Sequence, residues 1–501
     1  MTISQQTNKP RPLLRGYLAA LAAALLVLGG HLWMINKVGS PVPLHDQWQA
    51  EGEMLYLPLI ENRLTLNHIT HLHSEHRIIP TRLLALSLFR LNNHVWDVRL
   101  QMTVNAVLAA VLAALTVVIA SRQLPRLTLI IFAAAFGALF ASPLFYGNAL
   151  WGFQSQFYFL LLFSVAHLDL VLRQRTFSAA WTTGVTCSLL ASVSMGSGFF
   201  SAGIVALMSA WTLLRAHQPS QRRTALVNLT VHICIFGAAL LWSHRPQQID
   251  FNWASSLHML LHCLAWPARF FTSWGAWVWL PFSAFLALLL PRTHVSRNEC
   301  VVLALGLWVL AQIVAISLVR SAPAVVITPR YYEIFWLGLV ANALALHRLW
   351  EITRDRWPTR AIRISMIILL AAWITPVSYK AWSFAQSHGR HDLAAVQSYT
   401  QSQKQQVKAF LDTDDIRVLQ ALPYPHVPHP DPAYLARILR NPVIRGVLPA
   451  ELSEIDPPRL SRMAASFRST GVWWLGLGVF LLLVDLWYSR RPVSSRAARH
   501  R

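Results

Sequence analysis

Apolar stretches of the ~20 residues needed to cross ~30 Å of hydrocarbon recur along this chain, divided by short polar breaks. They predict membrane-spanning helices at 14–36, 100–120, 127–145, 154–172, 177–193, 199–214, 224–242, 273–291, 300–319, 333–350, 363–380 and 471–488, twelve spans good to a few residues at each end. Helices satisfy their own backbone in lipid, so the fold class is an all-α polytopic membrane protein. The pair 177–193 and 199–214 is joined by Met195-Gly196-Ser197-Gly198, which fits either an outward hairpin or a re-entrant element. The first stretch is too long for a signal-peptide core and lacks a convincing cleavage site, which reads as a retained signal-anchor.

Two segments without spans stand out. The first, 37–99, carries Leu83, Leu84, Leu86, Leu88 and Leu91 at helical spacing, with Arg82 and Arg90 on the expected polar face. That pattern predicts helices lying in the interface plane. The second, 381–470, is polar and proline-rich and too weakly apolar to bury a substantial core alone. It is expected to pack as a cap over the outward face. The organisation is then a multi-span domain 1–380 that includes 37–99, an outward segment 381–470, and a final span with a basic tail, 471–501.

Charge orients the chain. Arg122/Arg126, Arg173/Arg175, Arg215/Arg222/Arg223, Arg292/Arg297 and the run from Arg348 to Arg363 fall in alternate connections, and both ends are basic. By the positive-inside rule these mark the cytoplasm, with both termini inside a cytoplasmic (inner) membrane. The net charge of +22 is therefore topology and attraction to anionic membrane lipids, and implies no nucleic-acid partner. Charged residues make up only 13% of the chain and hydrophobic ones 55%, which fits no soluble domain. The four cysteines have no metal-ligand spacing, and neither a disulfide nor a zinc site is expected.

The remaining connections hold the polar chemistry. Asp46, in His45-Asp46-Gln47-Trp48, could take a proton from an acceptor hydroxyl or hold a divalent cation; alternatively it is a solvated turn residue. Glu75 sits in Ser74-Glu75-His76-Arg77, which offers a second carboxylate, an imidazole and a phosphate clamp, or else a surface Glu75–Arg77 ion pair. Four histidines between His68 and His76 match no firm metal motif. Trp151 and Gln154, at the top of a span, could stack on and hydrogen-bond a sugar, or could glue helices together. Arg330 and Tyr331 could place a cation at the depth of a lipid phosphate, or anchor the interface. Arg269 is a weaker version of the same idea.

With these motifs in order, the chain resembles the GT-C glycosyltransferase superfamily over roughly residues 14–350. The resemblance implies an enzyme using a polyprenyl-phosphate sugar donor and a glycan or lipid acceptor on the outer membrane face. It also implies that Asp46 is the first-loop acid that acts in catalysis or binds metal. One departure is evident: members often carry two adjacent acids there, and here Gln47 follows Asp46. Glu75 is the candidate for the second. A polysaccharide polymerase or ligase would depend on outward Arg and His instead of a first-loop acid. A lipid-linked sugar flippase would need paired broken helices or ionisable groups at the midplane, which the sequence does not display.

Overall fold

The computed structural model describes residues 13–243, 252–268, 272–292, 294–320, 327–356, 359–453 and 455–490. Arg269, most of the basic N-terminal stretch and the C-terminal tail lie outside the described residues. The described elements are helices, and the only strand-like pairing among them is a bridge between His73 and His76.

Seven described helices are long and apolar enough to cross a bilayer, or eight when the bent pair Arg126–Phe140 and Pro143–Ala149 counts as one span. Several of the twelve expected spans are shorter than the apolar runs suggested. The 177–193 run is a helix of 14 residues, Ala179–Ser192, and the 273–291 run one of 16, Trp274–Leu289; the 199–214 run keeps its length as the 16-residue helix Phe200–Arg215. At ~1.5 Å per residue, each falls short of the ~30 Å hydrocarbon layer. Ala179–Ser192 and Phe200–Arg215 are joined at Met195–Gly198. Gly196 at that tip is pressed against His76, where a Cβ would fall 2.8 Å from the imidazole Nδ1.

The connections expected to face outward meet at one end of the bundle. Arg77 reaches the Trp242 carbonyl, Gly196 abuts His76, Gly147 abuts Arg330, and Arg320 pairs with Glu75. At the opposite end the few acids are consumed by arginines. Asp169 takes Arg122 at 2.6 Å and also Arg173, Asp485 takes Arg126 at 2.7 Å, and Glu299 takes Arg348 at 3.0 Å. These pairs pin neighbouring helix ends together. Asp485 is only 1% exposed, so its removal leaves Arg126 partly desolvated without its partner. Asp485→Ala should lower stability by about 2 kcal/mol, discounted from a fully buried pair because Arg126 keeps some solvent. A melting curve in detergent checks this, and an unchanged midpoint would show the pair to be ornamental.

The first helix, Leu13–Val38, packs most extensively against the last, Gly471–Arg490, and against Val98–Ser121. Gly29 and Gly471 make the closest crossing: a Cβ on Gly29 would lie 2.6 Å from the Gly471 carbonyl oxygen. Small residues let helix backbones touch in this way.

The two long segments form one body. Trp48, Leu55, Tyr56, Ala85 and Phe89 from the first share a hydrophobic core with Val407, Phe410, Leu435, Leu439 and Ile444 from the second. Arg360–Phe384 passes through a π-helical turn, Ala385–Gly389, into Arg390–Thr413, so the predicted span 363–380 runs on into the cap as one rod. The helix expected in the interface plane is present as Ile79–Leu91, with Leu83 and Leu91 exposed. Its polar face differs from expectation. Arg90 is exposed, but Arg82 is buried and donates to the carbonyls of Ile69 and His71. A guanidinium with enough backbone acceptors can leave solvent, and here it holds the stretch that leads into His73–His76.

Candidate functional site

Asp46 lies between Leu13–Val38 and a π-helix, Trp48–Tyr56, in a turn where His45 takes the left-handed φ of 49°. A non-glycine residue held there is strained, and the turn is fixed by its surroundings. The His45 amide donates to the Pro428 carbonyl at 2.7 Å, tying the turn to the proline-rich stretch of the cap. Gln47 pins it from below: its Oε1 accepts from the Leu44 amide at 3.2 Å, and its Nε2 donates to Glu51 at 3.3 Å and Gln101 at 3.0 Å. Gln47 is completely buried and serves as an internal strut beneath the Asp46 turn.

Glu51 is the centre of that strut. Gln47, Tyr56, Trp96 and Gln101 all donate to its Oε2. Burial raises its carboxyl to about 7 despite those four donors. Nothing in the sequence pattern marked Glu51. Its only signal is an acid close to Trp48 and Tyr56 in the chain.

Both oxygens of Asp46 face imidazoles. His45 Nδ1 hydrogen-bonds Oδ1 at 2.7 Å, and His73 Nε2 stands 3.7 Å from Oδ2. Burial alone would push the Asp46 carboxyl up, but the two imidazoles outweigh it and hold it well below the usual carboxylate range. An acid held so firmly ionised has little appetite for a proton. It is better suited to orient His45 and to stabilise positive charge on it.

Around this pair stand aromatic rings. Trp151 is edge-on to His45 at 6.4 Å between centroids, Tyr424 and His429 each lie 5.8 Å from His45, and Phe153 is edge-on to His73 at 5.4 Å. Tyr424 and His429 come from the cap, as does Tyr434, which donates to Glu53 at 2.7 Å.

From His73 the site continues to Glu75. The backbones of His73 and His76 pair at 2.8 and 2.9 Å, His76 Nε2 lies 3.4 Å from a Glu75 oxygen, and Glu75 forms an ion pair with Arg320. Burial pushes the His76 imidazole down and keeps it neutral. The Gly196 amide donates to its Nδ1 at 3.1 Å, which leaves the ring proton on Nε2, toward Glu75. Burial would push the Glu75 carboxyl up, but His76, Arg320 and Arg330 pull it below its ordinary value. Glu75, His76, Arg320 and Tyr331 line a cavity of about 270 Å³ that reaches Gln312 and Ser197. Asp46 is not part of that wall and connects to it through His73.

The other expected residues divide. Arg330 is half-buried over the Tyr331 ring at 5.4 Å, its Nε is buried with no protein partner, and its charge reaches Glu75, His76 and Tyr424. Gln154 is fully buried, its Oε1 accepting from Gln156 at 3.4 Å, so it is no part of an open sugar-binding wall. Arg77 is placed away from Asp46: it donates to the Thr70 and Trp242 carbonyls and covers the Trp242 ring at 4.3 Å. That engagement commits three of its five N–H donors to backbone carbonyls.

Protein oxygens are few around Asp46, which faces imidazoles on both sides while Gln47 turns inward. Among the described residues no three His, Cys, Asp or Glu side chains converge as a metal would require. The four histidines separate as well, His68 bonding Thr65, His71 the Leu72 carbonyl, His73 facing Asp46 and His76 facing Glu75.

No protein-family model and no curated protein matches the sequence. Among solved structures, the chain is similar to the archaeal oligosaccharyltransferase AglB from Archaeoglobus fulgidus, solved with an inhibitory peptide and a dolichol-phosphate. The likeness covers 88% of this chain and 61% of that one, at 12% identity and a TM-score of 0.44. This chain thus spans about three fifths of the length of the oligosaccharyltransferase it matches.

Proposed function

We propose that the chain is a GT-C-type membrane glycosyltransferase that moves a sugar from a polyprenyl-phosphate donor to a glycan or lipid hydroxyl. The reaction takes place on the outer face of the cytoplasmic membrane, and both termini are cytoplasmic. The observation that carries this reading is the ionised Asp46 held against His45 at 2.7 Å, at the end of the bundle where Arg320 and Arg330 also stand. The opposite, arginine-rich end supports the orientation.

Chemically, the acceptor oxygen attacks the anomeric carbon as the bond from that carbon to the lipid phosphate oxygen breaks, with inversion. The phosphate leaves with the bonding electrons and needs positive charge, which Arg330 and Arg320 supply. The hydroxyl proton goes to the Nε2 of His45, whose Nδ1–H stays bonded to Asp46. Trp151 and Tyr424 are the aromatic faces for the sugar. Neither a strong general acid nor a metal is needed, because phosphate is already a good leaving group.

The outward Arg and His residues also suit a polysaccharide ligase, which uses the same donor chemistry without a first-loop acid. The test of donor recognition is Arg330→Ala in purified protein reconstituted with a labelled polyprenyl-phosphate sugar. Loss of one charge-assisted phosphate contact should raise the donor concentration for half-saturation ~10–100-fold, with a smaller effect at saturation. Unchanged donor dependence, or absence of transfer by the wild type from polyprenyl-phosphate hexoses and pentoses alike, would overturn the proposal.

A further inference from the structure

A second polar cavity lies at the other end of the molecule. It measures about 790 Å³ and is lined by Arg175, Arg215, Arg292, Arg297 and His294, with no carboxylate on its described walls. The helix Ser155–Arg173 leads from the Trp151 end to this cavity, so its 19 residues separate the cavity from the proposed catalytic site by ~28 Å. Nothing in the glycosyl-transfer reading uses it.

Four guanidiniums around one hollow repel each other unless an anion joins them. The nearby acids relieve this only in part. Arg292 is 3.6 Å from Glu299, which already holds Arg348. Arg215 gives one N–H to the Leu290 carbonyl at 2.9 Å and lies over the Trp211 ring at 4.9 Å; Arg297 gives one to the Arg173 carbonyl. Each guanidinium has five N–H donors, so these bonds leave capacity on every one. Thr212, Ser220 and Thr224 add hydroxyls, and the indole N–H of Trp211 on the same wall is buried with no protein partner. The donor set asks for a phosphate with several acceptor oxygens.

The flanks identify its source. Leu214 is 85% exposed, Phe177 69%, Leu226 54% and Leu290 50%, all beside the cavity in sequence, on its helices or in the turns that join them. Exposed leucines around a basic hollow at a helix-bundle end suit a group whose tails lie in the acyl layer. We infer that this cavity binds the phosphate headgroup of an anionic membrane phospholipid on the face opposite the catalytic site.

The test is native mass spectrometry of the full-length protein in detergent, titrated with phosphatidylglycerol or phosphatidylcholine. Wild type should prefer phosphatidylglycerol. The double variant Arg215→Gln with Arg297→Gln should weaken that lipid's binding about tenfold or more, leaving phosphatidylcholine unchanged. Ser220→Glu puts a negative charge into the cavity from an exposed position without touching the arginines, and should do the same even if the double variant folds poorly. Arg354→Gln, an exposed arginine paired with Asp355, is the control and should bind as wild type does. Retained preference in Ser220→Glu, equal loss in Arg354→Gln, or displacement of the lipid by millimolar glycerol phosphate would each overturn the inference.

Discussion

Asp46→Asn is expected to reduce glycosyl transfer ~10²–10⁴-fold while leaving membrane insertion and melting unchanged. The substitution keeps size and one acceptor oxygen but removes the charge that fixes His45 and balances the imidazolium formed in the reaction. His45→Ala should lose activity by a similar factor, because the proton then has no acceptor at the right place. The double variant should be little worse than either single one, since the two side chains act as a unit. Transfer from a labelled donor in liposomes reads all three. Near-normal transfer by Asp46→Asn would remove Asp46 from the mechanism and leave the ligase reading, which rests on Arg and His, in its place. A strictly additive loss in the double variant would show that His45 and Asp46 work separately.

Glu51→Leu is expected to prevent the outward body from forming. Four buried donors share one carboxyl oxygen of Glu51, and each left without an acceptor costs ~1–3 kcal/mol. Gln47, Tyr56 and Gln101 keep a second acceptor. The full penalty therefore falls on the Trp96 N–H and part of it on each of the others, a large fraction of the net stability of a typical folded domain. Glu51→Gln should instead be tolerated, since its amide oxygen accepts the same donors. Its diagnostic is pH. Burial raises the Glu51 carboxyl to about 7 from an ordinary 4.5, so the folded state holds a proton that the unfolded chain releases. The favourable contribution is fully present below about pH 4.5 and is lost as pH rises through about 7, amounting to about 3 kcal/mol. The melting midpoint of Glu51→Gln relative to wild type should therefore rise between pH 5 and pH 8. A constant difference across that range would mean that Glu51 is ionised in the fold throughout.

The spans were legible in the sequence wherever an apolar run approached the length a bilayer demands, and the alternation of arginine-rich breaks sorted the connections to two ends. The turn at Met195–Gly198 was readable from its glycines, but hydropathy could not read how much of a run is wound as helix: the 273–291 run is helical only over Trp274–Leu289. Asp46 and Glu75 were visible as polar groups in apolar surroundings. Their partners were not, because Arg320, Tyr424 and His429 arrive from distant segments through packing alone. Arg320 did leave a trace, as a cation at the end of a span where the charge rule expects none. Arginines were the least readable residues. Arg77 and Arg82 look like surface cations in sequence, yet both are committed to backbone carbonyls that only the folded loop supplies.

The embrace of the first and last helices, with Gly29 against the Gly471 carbonyl, has a consequence in the order of synthesis. The helix that leads into the Asp46 turn is made well before the surface it rests on. Until then its glycine face is open to lipid or to other chains, and the reactive end has no settled geometry. The fold is thus assembled like an arch whose keystone is Gly471–Arg490, and the Asp46 turn is not seated until that helix arrives.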